Sequence, residues 1–267
     1  TGVGFSVTDI ILWSDLMREN NKSINANYRE FVGPADRYDL ISAIQFNLLT
    51  FLGLRETNTL LDIGCGSLRA GRLLIVYLKP GKYYGVEPEK WLVEEGIKNE
   101  CGQDLIDIKR PSFLYIDDWL FFQFNVQFDF LLAQSIFSHA SMGQIESCLT
   151  NVAKCMHEYS ILAATFAIGE ENYKGSEWVY PEKVTYTPEN ILNMVANAGL
   201  IAERTNWFHP SQAWYLIGRP ENKVKLVDLR KRINSIFCIS PKISDKFIIK
   251  IRKIEKAIRK FALMENH

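Results

Sequence analysis

Apolar residues follow two rhythms along the chain, and their alternation predicts the architecture. Short runs rich in apolar residues occur at Leu60-Leu61-Asp62-Ile63, Lys82 to Val86, Ser112 to Ile116, Phe128 to Ala133, Ile161 to Phe166, Ile201 to Thr205 and Ala213 to Gly218, and read as strands. Helical spacing fills the intervals. Leu68, Leu73, Leu74, Val76 and Leu78 suit a helix that stops at Pro80-Gly81. A second is capped by Ser141 with Gln144 three residues on, and a third opens at Thr187-Pro188-Glu189 and closes at Gly199. Strands alternating with helices imply an α/β domain with a doubly wound, largely parallel sheet. Ahead of it, Arg37 to Leu54 reads as a helix with Leu40, Ile41, Ile44, Leu48 and Leu49 on one side, suited to a lid over a ligand. The expected division is a helical cover at 1–54, a ligand-binding core at 55–220 and a helical tail at 221–267.

The chemistry concentrates where the first strand ends. Asp62-Ile63-Gly64-Cys65-Gly66-Ser67-Leu68-Arg69-Ala70-Gly71 turns an apolar strand into an acidic, glycine-rich loop just before a helix. Gly64 and Gly66 permit a sharp turn and a close ligand, and a helix opening near Leu68 points unpaired N–H groups at that ligand. A dinucleotide fingerprint needs a small residue at the position held by Arg69, so a nicotinamide dinucleotide fits poorly.

The D-x-G-x-G turn from Asp62 to Gly66 resembles that of class I S-adenosylmethionine-dependent methyltransferases. The resemblance implies a Rossmann-like seven-stranded sheet with its last strand antiparallel. It also implies S-adenosylmethionine as cofactor, its methionine part lying over the glycines. Glu87 closes the second strand about 25 residues beyond Asp62, where a nucleotide-binding βαβ unit places the carboxylate that accepts from both ribose hydroxyls. The resemblance assigns Asp117, after the third strand, to the adenine amino group and Asp118 to neighbouring contacts; Asp118 equally suits a turn cap. Asp62, Gly64, Cys65, Gly66, Arg69, Glu87, Asp117, Asp118 and Gln134 form the candidate cofactor set. Leu68 departs from the pattern, standing where many members have a third glycine. Arg69 then lies either near the cofactor carboxylate or over the helix start.

Composition narrows the class. With 267 residues and 47% hydrophobic content the chain can bury a substantial core. No apolar stretch approaches the roughly 20 residues needed to span a bilayer. The chain opens at Thr1 without a basic-plus-apolar signal segment, and its five cysteines form no C-x-x-C pair. A soluble cytoplasmic protein without a metal site or disulfide framework is the expectation. The 31 basic and 31 acidic residues balance overall but are divided: residues 223–267 carry 13 basic against 4 acidic, and residues 1–222 carry 18 against 27. An acidic body argues against broad nucleic-acid binding. In the tail, Phe247, Ile251, Ile254, Ile258 and Phe261 alternate with lysines in the pattern of a basic amphipathic helix. Such a helix docks on the acidic body or a second subunit, or lies on an anionic membrane surface.

Ligands of open α/β sheets bind at the carboxyl ends of the strands. Family members that methylate base amines or amide nitrogens usually carry an Asp/Asn-Pro-Pro-aromatic motif after the fourth strand. Here the segment is Ala133-Gln134-Ser135-Ile136, which leaves hydroxyl, carboxyl, amine and carbon acceptors. Of the four histidines, His157 falls at the end of a predicted helix and His267 is terminal, leaving His139 and His209 as catalytic candidates. With an ordinary pKa near 6.5, His139 can take a hydroxyl proton as the methyl transfers; the alternative is a hydrogen bond to cofactor or backbone. His209 is read in the same two ways. Tyr38, Ser135, Trp178 and Trp207, with Tyr28, Phe31, Tyr180 and Phe208 nearby, are candidates for the acceptor mouth, where aromatics with a polar edge suit a sugar ring. Ordinary packing under loops is the alternative for each. The expected activity is methyl transfer to a small polar acceptor, a hydroxyl of a sugar or glycan precursor. A macromolecular methyltransferase using the tail, or a non-catalytic cofactor-binding protein, is the alternative.

Overall fold

The computed structural model describes residues 27–236 and Ile249. Seven strands, β1 (Leu60–Ile63), β2 (Tyr83–Val86), β3 (Ser112–Leu114), β4 (Phe128–Ala133), β5 (Met156–Phe166), β6 (Ile201–Thr205) and β7 (Ala213–Gly218), form one sheet in the order β3-β2-β1-β4-β5-β7-β6. β7 runs antiparallel to both neighbours, β5 and β6, while β1 to β5 pair in parallel. This is the expected sheet. The order reverses at β1 and β4, whose carboxyl ends diverge into Gly64 and Gln134, so the crevice lies between those loops.

Strand periodicity divides the core in two. Leu61, Ile63, Leu131, Ala133, Leu162, Ala164 and Tyr215 face one layer, while Leu60, Phe130, Leu132, Ile161, Ala163, Trp214 and Leu216 face the other. The first layer is covered by α6 (Met142–Lys154) and α7 (Pro188–Asn197), through Ile145, Leu149, Val152, Ile191 and Val195. Ile249 also packs there. The second layer is covered by α2 (Tyr38–Leu52), α3 (Gly71–Tyr77), α4 (Lys90–Gly96) and α8 (Lys223–Ile236). Two short helices, α1 (Tyr28–Phe31) and α5 (Gln103–Lys109), complete the set. The caps read from sequence are present: Ser141 and Gln144 form a capping box, and Thr187 accepts from the Asn190 amide ahead of Pro188.

Local details differ from the sequence pattern. Leu68 does not open a helix; it sits in a left-handed turn with φ 60°, its N–H on the Cys65 carbonyl at 3.0 Å, and α3 begins at Gly71. Leu40 is exposed, because the buried stripe of α2 runs through Ile41, Ile44, Gln45, Leu48 and Leu49, and Val76 is exposed on α3, which buries Gly71, Leu74 and Ile75 instead. β5 starts at Met156, so His157 lies on a strand, its Nε2 3.1 Å from Asp129. Within the predicted tail, α8 is integral to the fold, burying Leu226, Leu229 and Ile233. Apart from Ile249, the predicted basic helix from Phe247 to Phe261 lies outside the described residues.

Candidate functional site

The glycine turn after β1 is held by the acid that closes β2. Glu87 is buried, and its carboxylate accepts the Gly66 amide at 3.0 Å through Oε2 and the Glu89 amide at 3.0 Å through Oε1. Each oxygen keeps a lone pair for a further donor, as two vicinal hydroxyls require. Burial pushes its pKa up to about 7, although both amides favour the ionised form. Beneath the turn, Asp62 accepts from the Tyr83 hydroxyl at 2.7 Å, and burial raises it to about 6. Cys65 is buried beside it, its thiol raised well above the usual range by loss of solvent.

Gly64 and Gly66 have φ of 67° and 53°, and both are approached closely. A Cβ on Gly64 would lie 2.1 Å from Cδ1 of Ile136, and one on Gly66 2.7 Å from Cγ1 of Val32. Val32 follows α1, and the segment from Tyr28 to Val32 forms a strap over the turn. The strap is fastened at several points. Tyr28 and Arg29 both donate to Glu100, at 2.8 and 2.7 Å, and the Tyr180 hydroxyl donates to the Phe31 carbonyl. Phe31 packs on Trp91 and Tyr180. What remains is a cavity of about 30 Å³ lined by Val32, Gln45, Asp62, Gly64, Cys65, Gly66, Arg69, Ala70 and Gln134. That volume suits a water molecule, so a nucleotide cofactor can lie over the glycines only when the strap moves.

Arg69 gives this cavity its electrostatic character. It donates to the Val32 carbonyl at 2.6 Å through Nη1 and to Oε1 of Gln134 through Nη2, while its Nε is buried without a partner. Among the described residues it forms no ion pair, and the charge of Asp62 acts on it from beyond contact distance. Burial pulls its pKa down to about 10, leaving the group charged at neutral pH. A desolvated guanidinium held by neutral acceptors is a ready partner for an anion. The cofactor's amino-acid carboxylate has the matching charge and shape. Arg69 and Glu87 thus fit the two polar ends of S-adenosylmethionine.

Gln134 and Ser135 follow β4. Oε1 of Gln134 also accepts from Gln45 at 3.2 Å, and its Nε2 lies 2.6 Å from the Ser135 hydroxyl and 3.0 Å from Nε2 of His209. Ser135 has φ 62°, with its amide on Thr165 at 2.8 Å and its hydroxyl accepting from Gln212 at 2.5 Å. His209 is buried, and its Nδ1 accepts the amides of Ser211 and Gln212 at 3.1 and 2.9 Å. The two nominated histidines occupy different environments. His139 presents Nδ1 to two backbone carbonyls, Val179 at 2.9 Å and Glu182 at 2.6 Å, and therefore carries its proton there. Its Nε2 keeps a lone pair, and burial lowers the pKa from the ordinary value. Trp178 and Tyr180, both 42% exposed, pack beside the ring at centroid distances of 5.7 and 5.2 Å.

Other nominated residues sit elsewhere. Tyr38 is fully buried, donates to the Ser67 carbonyl at 2.9 Å and carries the guanidinium groups of Arg29 and Arg72 over its ring, so it props the glycine turn from behind. Trp207 packs on α2, donating to the Ile44 carbonyl at 3.2 Å. Asp117 and Asp118 are exposed and line a separate groove of about 580 Å³ with Trp119, the start of α6 and residues 174–176. Asp118 accepts the Leu120 amide at 3.1 Å, the turn cap anticipated for it. Gln45, Glu100 and Gln212 are not among the site residues nominated from sequence. Gln45 left a signal, a polar residue inside the apolar stripe of α2. Among the described residues no cluster of side chains could hold a metal ion, and no helix is long and apolar enough to cross a membrane.

No family model matches the chain, and no curated protein matches it in sequence. Solved structures match its shape. Magnesium protoporphyrin IX methyltransferase (ChlM) from Synechocystis PCC 6803, with bound SAM, superposes with a TM-score of 0.54 and 14% identity over 82% of this chain and 100% of its own. The glycopeptide N-methyltransferase MtfA, complexed with (S)-adenosyl-L-methionine, gives 0.52 and 10% identity over 67% of this chain and 94% of its own. Identity this low speaks for architecture alone, and the architecture is the Rossmann-like fold of class I methyltransferases.

Proposed function

We propose that this chain is an S-adenosylmethionine-dependent methyltransferase acting on a small polar acceptor, a hydroxyl of a sugar or glycan precursor. The observation that carries the cofactor is Arg69, a desolvated cation without an anionic partner among the described residues, set beside the buried acid Glu87 in the crevice at the strand ends. Arg69 would take the amino-acid carboxylate and Glu87 the ribose hydroxyls. Bound there, the cofactor supplies an activated sulfonium methyl. The protein's own task is then alignment of the acceptor and removal of its proton. His139 suits proton removal: its tautomer is fixed by two carbonyls, and its lowered pKa keeps Nε2 unprotonated at neutral pH. The half-exposed Trp178 and Tyr180 beside it supply flat surfaces with polar edges, which favour a sugar over an aliphatic amine.

Calorimetric titration with S-adenosylmethionine, on the wild type and Glu87→Ala, tests the cofactor. Micromolar binding weakened by the substitution is the expected result, and no binding to the wild type would overturn the reading. Transfer of a labelled methyl to hydroxylated sugars, compared with amines, then tests the acceptor; label on amines alone would refute the hydroxyl assignment.

A further inference from the structure

Ser135 follows β4 in the left-handed conformation, φ 62°, and is fixed there from both sides. Its amide donates to the Thr165 hydroxyl at 2.8 Å, and its carbonyl accepts the Ser138 hydroxyl at 3.1 Å. Residues other than glycine rarely adopt this conformation, and such positions concentrate where ligands bind. The half-buried side chain faces two carboxamides, Nε2 of Gln134 at 2.6 Å and Nε2 of Gln212 at 2.5 Å. Both present nitrogen for a physical reason. Arg69 can only donate, and its bond to Oε1 of Gln134 turns that residue's amide nitrogen toward Ser135. Gln212 is buried, and its Oε1 has no partner among the described residues. Turned over, it would bury two unpaired N–H groups in place of one carbonyl oxygen, which is the costlier arrangement. The Ser135 oxygen therefore accepts twice, which fills both lone pairs, and its proton has no acceptor among the described residues. Two donors onto one hydroxyl polarise it and strengthen the bond it gives.

We infer that Ser135 is a specificity-determining residue that donates to the methyl-accepting atom and selects oxygen over nitrogen. The inference rests on the methyl-transfer reading above. An acceptor hydroxyl uses one oxygen lone pair to bond the methyl carbon, as the carbon–sulfur bond breaks with its electron pair on sulfur. The same oxygen keeps a second lone pair for the Ser135 proton and yields its own proton to a base. The Ser135 proton is not transferred. A neutral amine has a single lone pair, which the new bond takes up, so its N–H groups would oppose the Ser135 O–H. Donor would then face donor, and a site built to hydrogen-bond one partner rejects the analogue that leaves its polar group unpaired.

One test needs no acceptor. In Ser135→Cys the two N–H groups face sulfur and stabilise its thiolate, so the introduced thiol should titrate below the ordinary value of about 8.5. The readout is the pH dependence of iodoacetamide alkylation above the wild-type background. A midpoint at or above the ordinary value would overturn the donor arrangement and the inference with it, whatever the cofactor. The second test is labelled methyl transfer to a panel of monosaccharides and their amino-sugar counterparts, with the methylated atom located by mass spectrometry. The wild type should label oxygen. Ser135→Ala should lower kcat/KM on oxygen about 10-fold and leave any transfer to nitrogen undiminished. An equal loss at oxygen and nitrogen, or an unchanged preference, would overturn the selection. Wild-type protein that binds S-adenosylmethionine in calorimetry but labels no sugar oxygen would instead bring down the hydroxyl reading, and the selection with it.

Discussion

The guanidinium of Arg69 donates to the backbone carbonyl of Val32 at 2.6 Å, so the cation at the floor of the crevice also pins the strap that roofs it. On the proposed cofactor reading, a carboxylate that takes Nη1 would remove a fastening of Val32, and binding and strap opening would be coupled through Arg69.

Arg69→Met separates charge recognition from nucleoside recognition. A hydrogen bond to a charged group contributes about 1.5–3 kcal/mol, so affinity for S-adenosylmethionine and S-adenosylhomocysteine should fall roughly 10- to 150-fold. Affinity for 5′-methylthioadenosine, which lacks the amino-acid part, should not fall, since the substitution removes a fastening of the strap and no contact to that ligand. Equal losses for all three ligands in calorimetry would place the carboxylate elsewhere.

The strap predicts a kinetic effect. Arg29, fastened to Glu100 at 2.6 Å by Nη2, is partly exposed, so its ion pair is worth about 0.5–1 kcal/mol. Arg29→Gln should speed association of S-adenosylmethionine about 2- to 5-fold in stopped-flow fluorescence. An unchanged or slower association rate would mean that the strap does not limit access.

Glu87 should make stability depend on pH in an unusual direction. Folding raises its pKa from about 4.5 to about 7, so between those values the folded chain holds the extra proton and stability falls as pH rises. Glu87→Gln removes that slope. Its melting temperature relative to wild type should therefore climb between pH 4.5 and 7.5, by the equivalent of about 2 kcal/mol. A constant difference across that range would show that Glu87 ionises normally.

His139 combines loop anchoring with a candidate base, and one substitution distinguishes them. Asparagine can still donate to the Val179 and Glu182 carbonyls but has no basic nitrogen. If the ring removes the acceptor proton, His139→Asn should melt within a few degrees of wild type and lose about 10²–10⁴-fold in turnover. The wild-type rate should hold constant down to pH values below the ordinary imidazole range, because burial lowers this pKa. Near-normal turnover by His139→Asn would leave the residue as a loop anchor.

At Leu68 two effects oppose each other. Its left-handed backbone costs about 1–2 kcal/mol relative to glycine, but its side chain is fully buried against Gly71 and Gly96. Removing a buried leucine costs about 2–5 kcal/mol, so Leu68→Gly should be destabilising by roughly 1–3 kcal/mol in urea unfolding. A stabilised variant would show that backbone strain outweighs packing here.

Much of the fold was legible in the chain because its determinants are local. Short apolar runs assigned the strands, and glycine, proline and cap residues punctuated the helices. The acidic glycine turn and Glu87 belong to one contiguous βαβ unit, so their proximity follows from short connections alone. The polar contacts that give the crevice its character span the whole chain. Arg69 meets Val32 from 37 residues earlier, Gln134 meets Gln45 and His209 across 89 and 75 positions, and His139 meets Val179 and Glu182 across 40 and 43. Tyr38 and Trp207 have the composition of a binding mouth, yet one props the turn from behind and the other packs on α2. By itself the sequence determined the sheet, the glycine turn and the acid beside it, because hydrophobic period and turn chemistry act over a few residues. Only the tertiary structure decided which donors oppose which acceptors, because that depends on where crossovers and loops bring distant side chains together, and a buried polar group must satisfy whatever neighbours it finds.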